Sequence, residues 1–500
     1  MRNLSKSKLL AHRQCPKRLW LELKHPELVK ISPMTQLAFD FGHEVGAVAR
    51  KLYDPANEGV LIDPQRAGFG QAFVQSRKLL ASSQPIFEAG FVAEGALAFA
   101  DVLLPATQDG KRVWRMIEVK SATAVKDYHR DDAAIQAFVA RSAGVALASI
   151  ALAHVDSSWQ YQGDGDYRGL LVEHLLTREA FAREDEVRSW IEAAQLTAAK
   201  SSEPDLRTGE HCTSPFVCGF LDHCRAQEPS AEHPVQWLPH PTNALKNYVA
   251  RNAVSDLRDV PDRLLSRQQL RVKQQTLSGE AFFDAEGAAK DLRKYPLPAI
   301  FLDFETIQFA VPRWKGTRPY AQIPYQFSLH RLAADGALSE DGFIDLSGAD
   351  PSEAIAEALI AACGEREPIF AYSAGFEKAR IRELAARVER LATPLLAINE
   401  RIVDLLPIAK ERYYHPSQQG SWSIKKVLPA VAPDLSYGDL DGVNHGAGAI
   451  VAYLEAVDPD TSEERKVEIA RQLREYCSLD TLAMVRLWQF LSGERAAGAI

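Results

Sequence analysis

The chain has 500 residues, more than one ordinary hydrophobic core accommodates, so its length predicts two or three domains. With 46% hydrophobic and 25% charged residues, the composition is that of a globular protein and excludes disordered, fibrous and disulfide-scaffold classes. The formal net charge of −8 gives no global sign of a nucleic-acid binder, so any basic surface has to be local.

The first twenty residues and the longest apolar run are informative about the cellular location of the protein. Residues 1–20 are rich in Lys and Arg and lack the apolar centre of a secretory signal. The longest nearly apolar run, 143–155, is shorter than the roughly 18 residues that a membrane span needs. We therefore expect a cytoplasmic protein without a membrane partner.

The first predicted domain, 1–230, contains an α/β core. Apolar runs at 84–106 and 112–122 are typical of strands and are separated by a D-G-K turn. A helical pattern at 126–144 follows, and then an apolar run at 146–155 that indicates a buried strand. The order strand, strand, helix, strand favours an α/β fold.

Two acidic positions and a lysine in this domain are candidates for catalysis. Asp101 lies in the first strand pattern, and Glu118 and Lys120 lie two positions apart in the second. Alternation along a strand puts Glu118 and Lys120 on one face, and pairing of the strands brings Asp101 beside them. Converging carboxylates bind a divalent metal, and a nearby lysine positions water or offsets phosphate charge. The alternative is a solvated strand face with an ion pair.

These motifs resemble the RecB-like branch of the PD-(D/E)XK nucleases. The resemblance extends to Glu88, in the position of a strand glutamate, and to Gln136, which matches the glutamine of the Q-x-x-x-Y motif, although Ala140 replaces its tyrosine. Residues 39–53 resemble the first helical motif of the family, but Gly46 stands where the family usually has a histidine. His43 and Glu44 are the nearby candidates to replace that histidine. The resemblance implies a metal-dependent nuclease.

Four of the six cysteines form a second pattern. Cys212, Cys218 and Cys224 have the spacing C-x5-C-x5-C, and Cys15 precedes a proline near the start of the chain. Clustered cysteines in a cytosolic protein favour metal ligation over disulfides. Cys363 and Cys477 are interpreted as core residues.

One distant cysteine with three near the domain end resembles the [4Fe–4S] clasp of CRISPR-associated and AddB-like nucleases. The resemblance implies that Cys15, Cys212, Cys218 and Cys224 hold an iron–sulfur cluster that ties the ends of the domain together. A structural Zn²⁺ site, with His211 and His223 as further possible ligands, is the alternative, and unligated thiols are a third interpretation.

The proline-rich stretch at 229–241 marks a domain boundary, after which we predict a helical connector at 231–296 and a second α/β domain at 297–500. Candidate metal ligands lie in this last domain: Asp303 and Glu305 end an apolar strand, and Glu377 begins a helix after another strand. Tyr476 and Asp480 are one turn apart on one face of the last helix.

The order D-x-E, E after a strand, and Y-x-x-x-D resembles the DEDD exonucleases of the RNase H-like fold, in the variant with a tyrosine. The resemblance implies 3′–5′ exonuclease chemistry with Mg²⁺ or Mn²⁺ held by the four carboxylates and a water oriented by Tyr476. The family usually has Asp at the position of Glu377, and Asp404 is the alternative ligand.

Together the patterns predict a metal-dependent nuclease with two active sites and a multidomain α/β architecture, comprising a restriction-endonuclease-like core, a connector and an RNase H-like domain. This interpretation favours DNA over RNA as the substrate. Because no G-x-x-x-x-G-K-[ST] motif occurs, any helicase or ATPase is expected to be a separate partner. The alternatives are a nucleic-acid-binding scaffold with one or both sites inert, or an RNase acting through the C-terminal domain only.

Overall fold

The computed structural model describes residues 2–494 and divides into two compact units. Unit 1 is Met1–Pro229 with Phe309–Ala321, and unit 2 is Ser230–Gln308 with Gln322–Ile500. Helices and sheets occur in both units, which confirms the mixed α/β class. The predicted connector at 231–296 falls within unit 2.

Unit 1 is built on a mixed sheet flanked by helices. Its strands are β1 (Leu4–Ser5), β2 (Val60–Leu61), β3 (Ile86–Ala93), β4 (Ala96–Gln108), β5 (Lys111–Lys120), β6 (Leu147–Val155) and β7 (Leu171–Leu175). Its helices are α1 (Lys6–Gln14), α2 (Pro16–Lys24), α3 (Pro33–Tyr53), α4 (Pro64–Ala67), α5 (Phe69–Leu79), α6 (Asp127–Ser142), α7 (Thr177–Phe181), α8 (Glu184–Ala198) and α9 (Leu221–Ala226). The strand order is β2-β3-β4-β5-β6-β7, and β1 pairs with β4.

The centre of this sheet is an antiparallel meander followed by a crossover. β3, β4 and β5 pair antiparallel, and α6 then returns the chain so that β6 pairs parallel with β5. The core-facing side of α6 is rich in alanine, with Ala133, Ala134, Ala137 and Ala140 all buried. Small side chains let the helix lie close to the sheet, and Ala140 is part of this packing.

The N-terminal helices have local signals at their ends. The hydroxyl of Ser5 accepts a hydrogen bond from the backbone N–H of Lys8, which caps the start of α1. Cys15 is extended and ends α1, and Pro16 begins α2, where its missing N–H costs no helical hydrogen bond. Cys15 therefore lies at the junction of two helices.

Unit 2 contains a second mixed sheet and a long final helix. Its strands are β8 (Phe282–Phe283), β9 (Ala299–Ile307), β10 (Ile323–Leu332), β11 (Leu338–Ile344), β12 (Ile369–Ala371), β13 (Ile402–Asp404) and β14 (Tyr413–Tyr414). Its helices are α10 (Asn243–Arg251), α11 (Arg267–Ser278), α12 (Ala285–Leu292), α13 (Ser352–Cys363), α14 (Gly375–Arg387), α15 (Ala392–Glu400), α16 (Leu405–Arg412), α17 (Ile424–Val431), α18 (Gly446–Ala456) and α19 (Glu463–Ser492).

The main sheet of unit 2 has the strand order β11-β10-β9-β12-β13, and β14 pairs separately with β8. β10 runs antiparallel to both β9 and β11, whereas β12 is parallel to β9 and to β13. The first half of β9 is fully buried, and α19 packs against β9 and β10. The hydroxyl of Ser462 caps the start of α19, and Gly493 ends the helix at a φ of 78° that favours glycine.

The segment Phe309–Ala321 follows β9 in the chain but belongs to unit 1. The backbone N–H of Tyr161 donates to the carbonyl of Thr317 at 3.0 Å. The hydroxyl of Tyr320 donates to the carbonyl of Ser121, which directly follows β5. Unit 1 is therefore discontinuous in sequence.

None of the helices within residues 2–494 has the length and apolar character that crossing a bilayer requires.

Candidate functional site

Asp101, Glu118 and Lys120 of unit 1 line one cavity of about 730 Å³. Asp101 is in the middle of β4, and Glu118 and Lys120 are at the end of β5. The backbone N–H of Val119 donates to Asp101 Oδ2 at 2.7 Å, so the neighbouring strand orients this carboxylate. The structure thus brings the predicted catalytic trio together.

Glu118 is only 1% exposed and is surrounded by hydrogen-bond donors. Its Oε1 lies 2.5 Å from the ammonium of Lys120 and 2.8 Å from that of Lys6, while Oε2 accepts from the amide of Gln136. Asp132 on α6 completes the network, with Oδ2 2.6 Å from Lys120 and Oδ1 3.1 Å from Lys6. Two carboxylates therefore share two ammonium groups.

The surroundings shift the pKa values of Asp132 and Asp101 in opposite directions. Burial alone would raise the pKa of Asp132, but Lys120 and Lys6 hold it far below its ordinary value. Burial and the charge of Glu118 raise the pKa of Asp101 well above its ordinary value, against the smaller opposing effect of the lysines. The two lysines therefore favour the anionic form of Asp132, whereas burial and the charge of Glu118 disfavour the anionic form of Asp101.

Glu88 faces the same cavity because of a distortion in β3. Its φ of 56° is in the left-handed region, and pairing with β4 passes from Phe87–Val102 to Ala89–Ala100 without a partner for Glu88. Such backbone strain is concentrated at functional sites. Burial and the charge of Glu118 raise the pKa of Glu88, as they do that of Asp101.

The other predicted residues of unit 1 have different positions. Gln136 is 1% exposed and does not line the cavity. Its side-chain amide donates hydrogen bonds to Glu118 and Asp132. His43 lines the cavity wall that α3 forms, whereas Glu44 lies 3.7 Å from Arg313 and is not part of that wall. Of the two candidates on α3, His43 is thus the one that faces the acidic residues.

In unit 2, Asp303, Glu305 and Asp480 each offer an oxygen such that all three atoms lie within 4.8 Å of one another. This is the one such group of His, Cys, Asp or Glu among the residues that the structure describes. Asp303 and Glu305 alternate along β9, and Asp480 projects from α19. The strand and the helix therefore bring carboxylates together that are far apart in sequence.

Burial raises the pKa of each of these carboxyls, and the charge of Asp480 adds to this effect for Asp303 and Glu305. Burial, with the charge of Asp480, raises the pKa of Glu305 to about 8. The pKa of Asp303 is well above its ordinary value for the same two reasons, and that of Asp480 is raised by burial. An electrostatic strain of this kind is relieved by a proton or by a bound cation.

Glu377 and Asp404 lie outside the group of three. Glu377 on α14 is 3% exposed, and its Oε2 has no hydrogen-bond partner among the described residues. Burial, with the nearby charge of Asp404, raises the pKa of Glu377 to about 7. Asp404 Oδ1 accepts hydrogen bonds from the N–H groups of Ser373 and Leu406, both at 3.0 Å, and so caps α16.

Tyr476 lies one turn before Asp480 on α19, as predicted. Its hydroxyl accepts a hydrogen bond from the ammonium of Lys425 at 2.9 Å. A second tyrosine, Tyr437, donates to Asp480 Oδ1 at 2.6 Å. Two tyrosine hydroxyls and one lysine ammonium therefore lie beside the cluster of Asp303, Glu305 and Asp480.

The four predicted cysteine ligands line one small cavity of about 10 Å³. Cys15 comes from the α1–α2 junction, and Cys212, Cys218 and Cys224 come from the end of unit 1. His211 lines the same cavity, whereas His223 contacts Gln227 and Glu203. Burial raises the pKa of the thiols of Cys15, Cys218 and Cys224, the last to about 11. Cys363 and Cys477 are buried elsewhere.

Sequence reasoning missed four residues of these sites: Lys6, Asp132, Lys425 and Tyr437. Asp132 precedes Gln136 by one helical turn, a spacing that could have revealed it. Lys6 is one of eight Lys or Arg in residues 1–30, and that excess of basic residues obscured its individual role. Neither Lys425 nor Tyr437 is among the predicted site residues, and the contacts of the folded chain bring both to the site.

Comparison with known proteins gives one family match. A model described as a domain of unknown function (DUF2779) matches residues 300–423. The match includes Asp303, Glu305 and Glu377 but ends before Tyr476 and Asp480, and it covers about a quarter of the chain. No curated protein matches the chain. The family description names no activity, so the chemistry has to be argued from the side chains.

Proposed function

We propose that the protein is a divalent-metal-dependent nuclease that hydrolyses phosphodiester bonds at two active sites, one in each unit. The observation that carries this proposal is the convergence of Asp303, Glu305 and Asp480 within 4.8 Å, with the hydroxyl of Tyr476 next to them. DNA ends and single strands are the proposed substrates, and a separate helicase remains a prediction.

The sheet of unit 2 supports an RNase H-like 3′–5′ exonuclease. The strand order is β11-β10-β9-β12-β13, and β10 alone runs antiparallel to the other four strands. This is the arrangement expected for that fold. The residues also fit a hard cation: three oxygen donors converge, and their pKa values are raised by burial and, for Asp303 and Glu305, by the neighbouring negative charge of Asp480. Asp303, Glu305 and Asp480 would hold Mg²⁺ or Mn²⁺, and Glu377 is the nearby acid for a second ion.

Each of these side chains has a task in the proposed reaction. The chemistry that a bound divalent ion supplies is polarisation of the phosphoryl oxygen and a lowered pKa of bound water. The hydroxyl of Tyr476 orients the water that attacks the terminal phosphodiester. Burial keeps the pKa of Tyr476 high, so the phenol stays protonated and acts only through hydrogen bonds.

The arrangement in unit 1 supports a PD-(D/E)XK nuclease core. The meander β3-β4-β5, the crossover helix α6 and the parallel strand β6 follow in the order expected for that fold. Glu88, Asp101 and Glu118 offer oxygen donors to one cavity, although not within 4.8 Å of one another. In the proposed reaction they hold a divalent ion, and Lys120 contacts the phosphate that is cleaved.

The four cysteines around one cavity support a metal site, for which we propose an iron–sulfur cluster, with zinc as the alternative. No three of the four sulfurs lie within 4.8 Å of one another in the described part of the chain, so the side chains would have to move for either group. Because the cavity is only about 10 Å³, the cysteine side chains would turn outward to admit a cluster.

The test is digestion of end-labelled single-stranded DNA and RNA by the full chain with Mg²⁺, with Mn²⁺ and with EDTA. We expect metal-dependent cleavage of DNA and none in EDTA. Cleavage of RNA alone, lost in Asp303→Ala, would favour the C-terminal RNase alternative. Binding without cleavage under every condition would identify a scaffold and reject the proposal.

A further inference from the structure

Two side chains that are not among the predicted site residues contact the proposed exonuclease site. Lys425 is the second residue of α17, and Tyr437 lies in the loop between α17 and α18. The ammonium of Lys425 lies 2.9 Å from Tyr476 Oη, and the hydroxyl of Tyr437 lies 2.6 Å from Asp480 Oδ1. Each residue therefore contacts a side chain to which the proposed reaction gives a role.

The direction of these hydrogen bonds is fixed by chemistry. An ammonium group only donates, so the hydroxyl oxygen of Tyr476 has to accept from Lys425. The hydroxyl proton of Tyr476 is then directed away from Lys425. Lys425 therefore contacts Tyr476, and Tyr437 contacts Asp480 one helical turn further along α19.

The position of the ammonium is held by more than one hydrogen bond. Lys425 Nζ lies 4.5 Å from the ring centre of Tyr437 and 4.6 Å from that of Tyr476, which are cation–π distances. The carbonyl of Asn444 accepts a further contact at 3.4 Å. The charge of Lys425 also acts on Asp303, Glu305 and Asp480, so the ammonium belongs electrostatically to the carboxylate group.

We infer that Lys425 is a positioning residue that fixes the hydroxyl of Tyr476 where it orients the attacking water, and that Tyr437 holds Asp480 in place. This inference rests on the exonuclease function proposed above. Lys425 combines a hydrogen bond to the phenol with cation–π contacts to both rings, a combination that an apolar side chain does not offer.

The experiment compares Lys425→Met with its parent in the full chain carrying Lys120→Ala, so that cleavage reports on unit 2. Lys425→Met should lower kcat about 10²-fold, the typical effect of losing one well-placed electrostatic group, with KM nearly unchanged. Lys425→Arg should restore part of the rate because a guanidinium also donates. The matched control is Lys426→Met, since Lys426 is exposed on the same helix and contacts Gln419.

Two further measurements separate positioning from a structural role. If Lys425 acts through the phenol, Lys425→Met combined with Tyr476→Phe should be no slower than the slower single variant. Mn²⁺ affinity by calorimetry should not fall, because Lys425→Met removes a cation and no carboxylate, and the thermal midpoint should stay at the parental value. Additive losses, weaker Mn²⁺ binding or a full-rate Lys425→Met would overturn the inference alone, whereas a parent that releases no nucleotides overturns the proposed function with it.

Discussion

Lys6 and Cys15 occupy opposite ends of one helix, α1: Lys6 is its first residue and Cys15 its C-terminal cap. The ammonium of Lys6 contacts Glu118 in the N-terminal cavity, while Cys15 lines the cysteine cavity. A short rigid element thus joins the two places, and anything that holds Cys15 also fixes where Lys6 lies.

The first prediction concerns Lys6. Lys6→Met removes one of the two ammonium groups that Glu118 and Asp132 share, so the remaining acids repel each other more strongly and Lys120 is held in a different position. Cleavage by unit 1 should fall at least about 10-fold. The measurement uses the full chain carrying Asp303→Ala and Asp480→Ala, and Lys8→Met is the control because Lys8 pairs with Glu22. Equal rates for the two lysine variants would contradict a role for Lys6.

The second prediction separates the two sites. Lys120→Ala should abolish one nuclease activity, and Asp303→Ala with Asp480→Ala the other, with losses of about 10²-fold or more in each case. The assay is digestion of linear and circular single strands, since an exonuclease needs an end. If Lys120→Ala leaves every cleavage product unchanged, unit 1 binds nucleic acid without cutting it.

The third prediction concerns the direction of digestion by unit 2. The Lys120→Ala chain should shorten a 5′-labelled strand from its 3′ end, and a 3′-phosphorothioate cap should stall it. Tyr476→Phe should slow the reaction while metal binding persists, because it removes a hydroxyl and no carboxylate. The full chain is the material of choice, since Phe309–Ala321 belongs to unit 1. Exclusive release of nucleotides from the 5′ end would show the assignment to be wrong.

The fourth prediction concerns the cysteine cavity. Protein purified without oxygen should be brown, with iron and sulfide in equal amounts and broad visible absorbance. Cys15→Ser should lose the colour and lower the thermal midpoint, because the ends of unit 1 are then no longer joined. Cys363→Ser is the control, since Cys363 is buried in the core of unit 2. Colourless protein with one tightly bound zinc would favour the zinc alternative.

The fifth prediction follows from the raised pKa values in unit 2. Burial raises the pKa of Glu305 to about 8 and that of Glu377 to about 7, from an ordinary value of 4.5. Without metal, the folded protein therefore binds more protons than the unfolded chain above this ordinary value. The stability contributed by these carboxyls is fully present below a pH of 4.5. It is lost as the pH rises through about 7 for Glu377 and about 8 for Glu305.

The measurement is the thermal midpoint in EDTA across this pH range, compared with Glu305→Gln. The midpoint of the parent should fall more steeply with rising pH than that of the variant, and Mn²⁺ should remove the difference by replacing the protons. Parallel curves for parent and variant would show that Glu305 does not titrate in this way.

Much of the architecture could be predicted because local patterns dominate it. The helix at 126–144 and the strand that carries Asp303 have clear periodicity, and the structure confirms both as α6 and β9. Glu118 and Lys120 are two positions apart in a strand, so their location on the same face of β5 could also be predicted. By contrast, Lys6 and Lys425 reach their sites only through tertiary packing, for which no spacing in the sequence gives a signal. The turning of Glu88 toward the cavity depends on a strand distortion that is equally non-local.

The insertion of Phe309–Ala321 into unit 1 has a consequence for how the chain is made. Domains of a nascent polypeptide usually fold one after the other as they emerge from the ribosome. Here the partner of Ser121 and Tyr161 is synthesised only after β9, the first strand of the main sheet of unit 2. Unit 1 is therefore complete only after that strand has been synthesised, and a chain that ends before residue 309 would lack this segment and its hydrogen bonds to Ser121 and Tyr161.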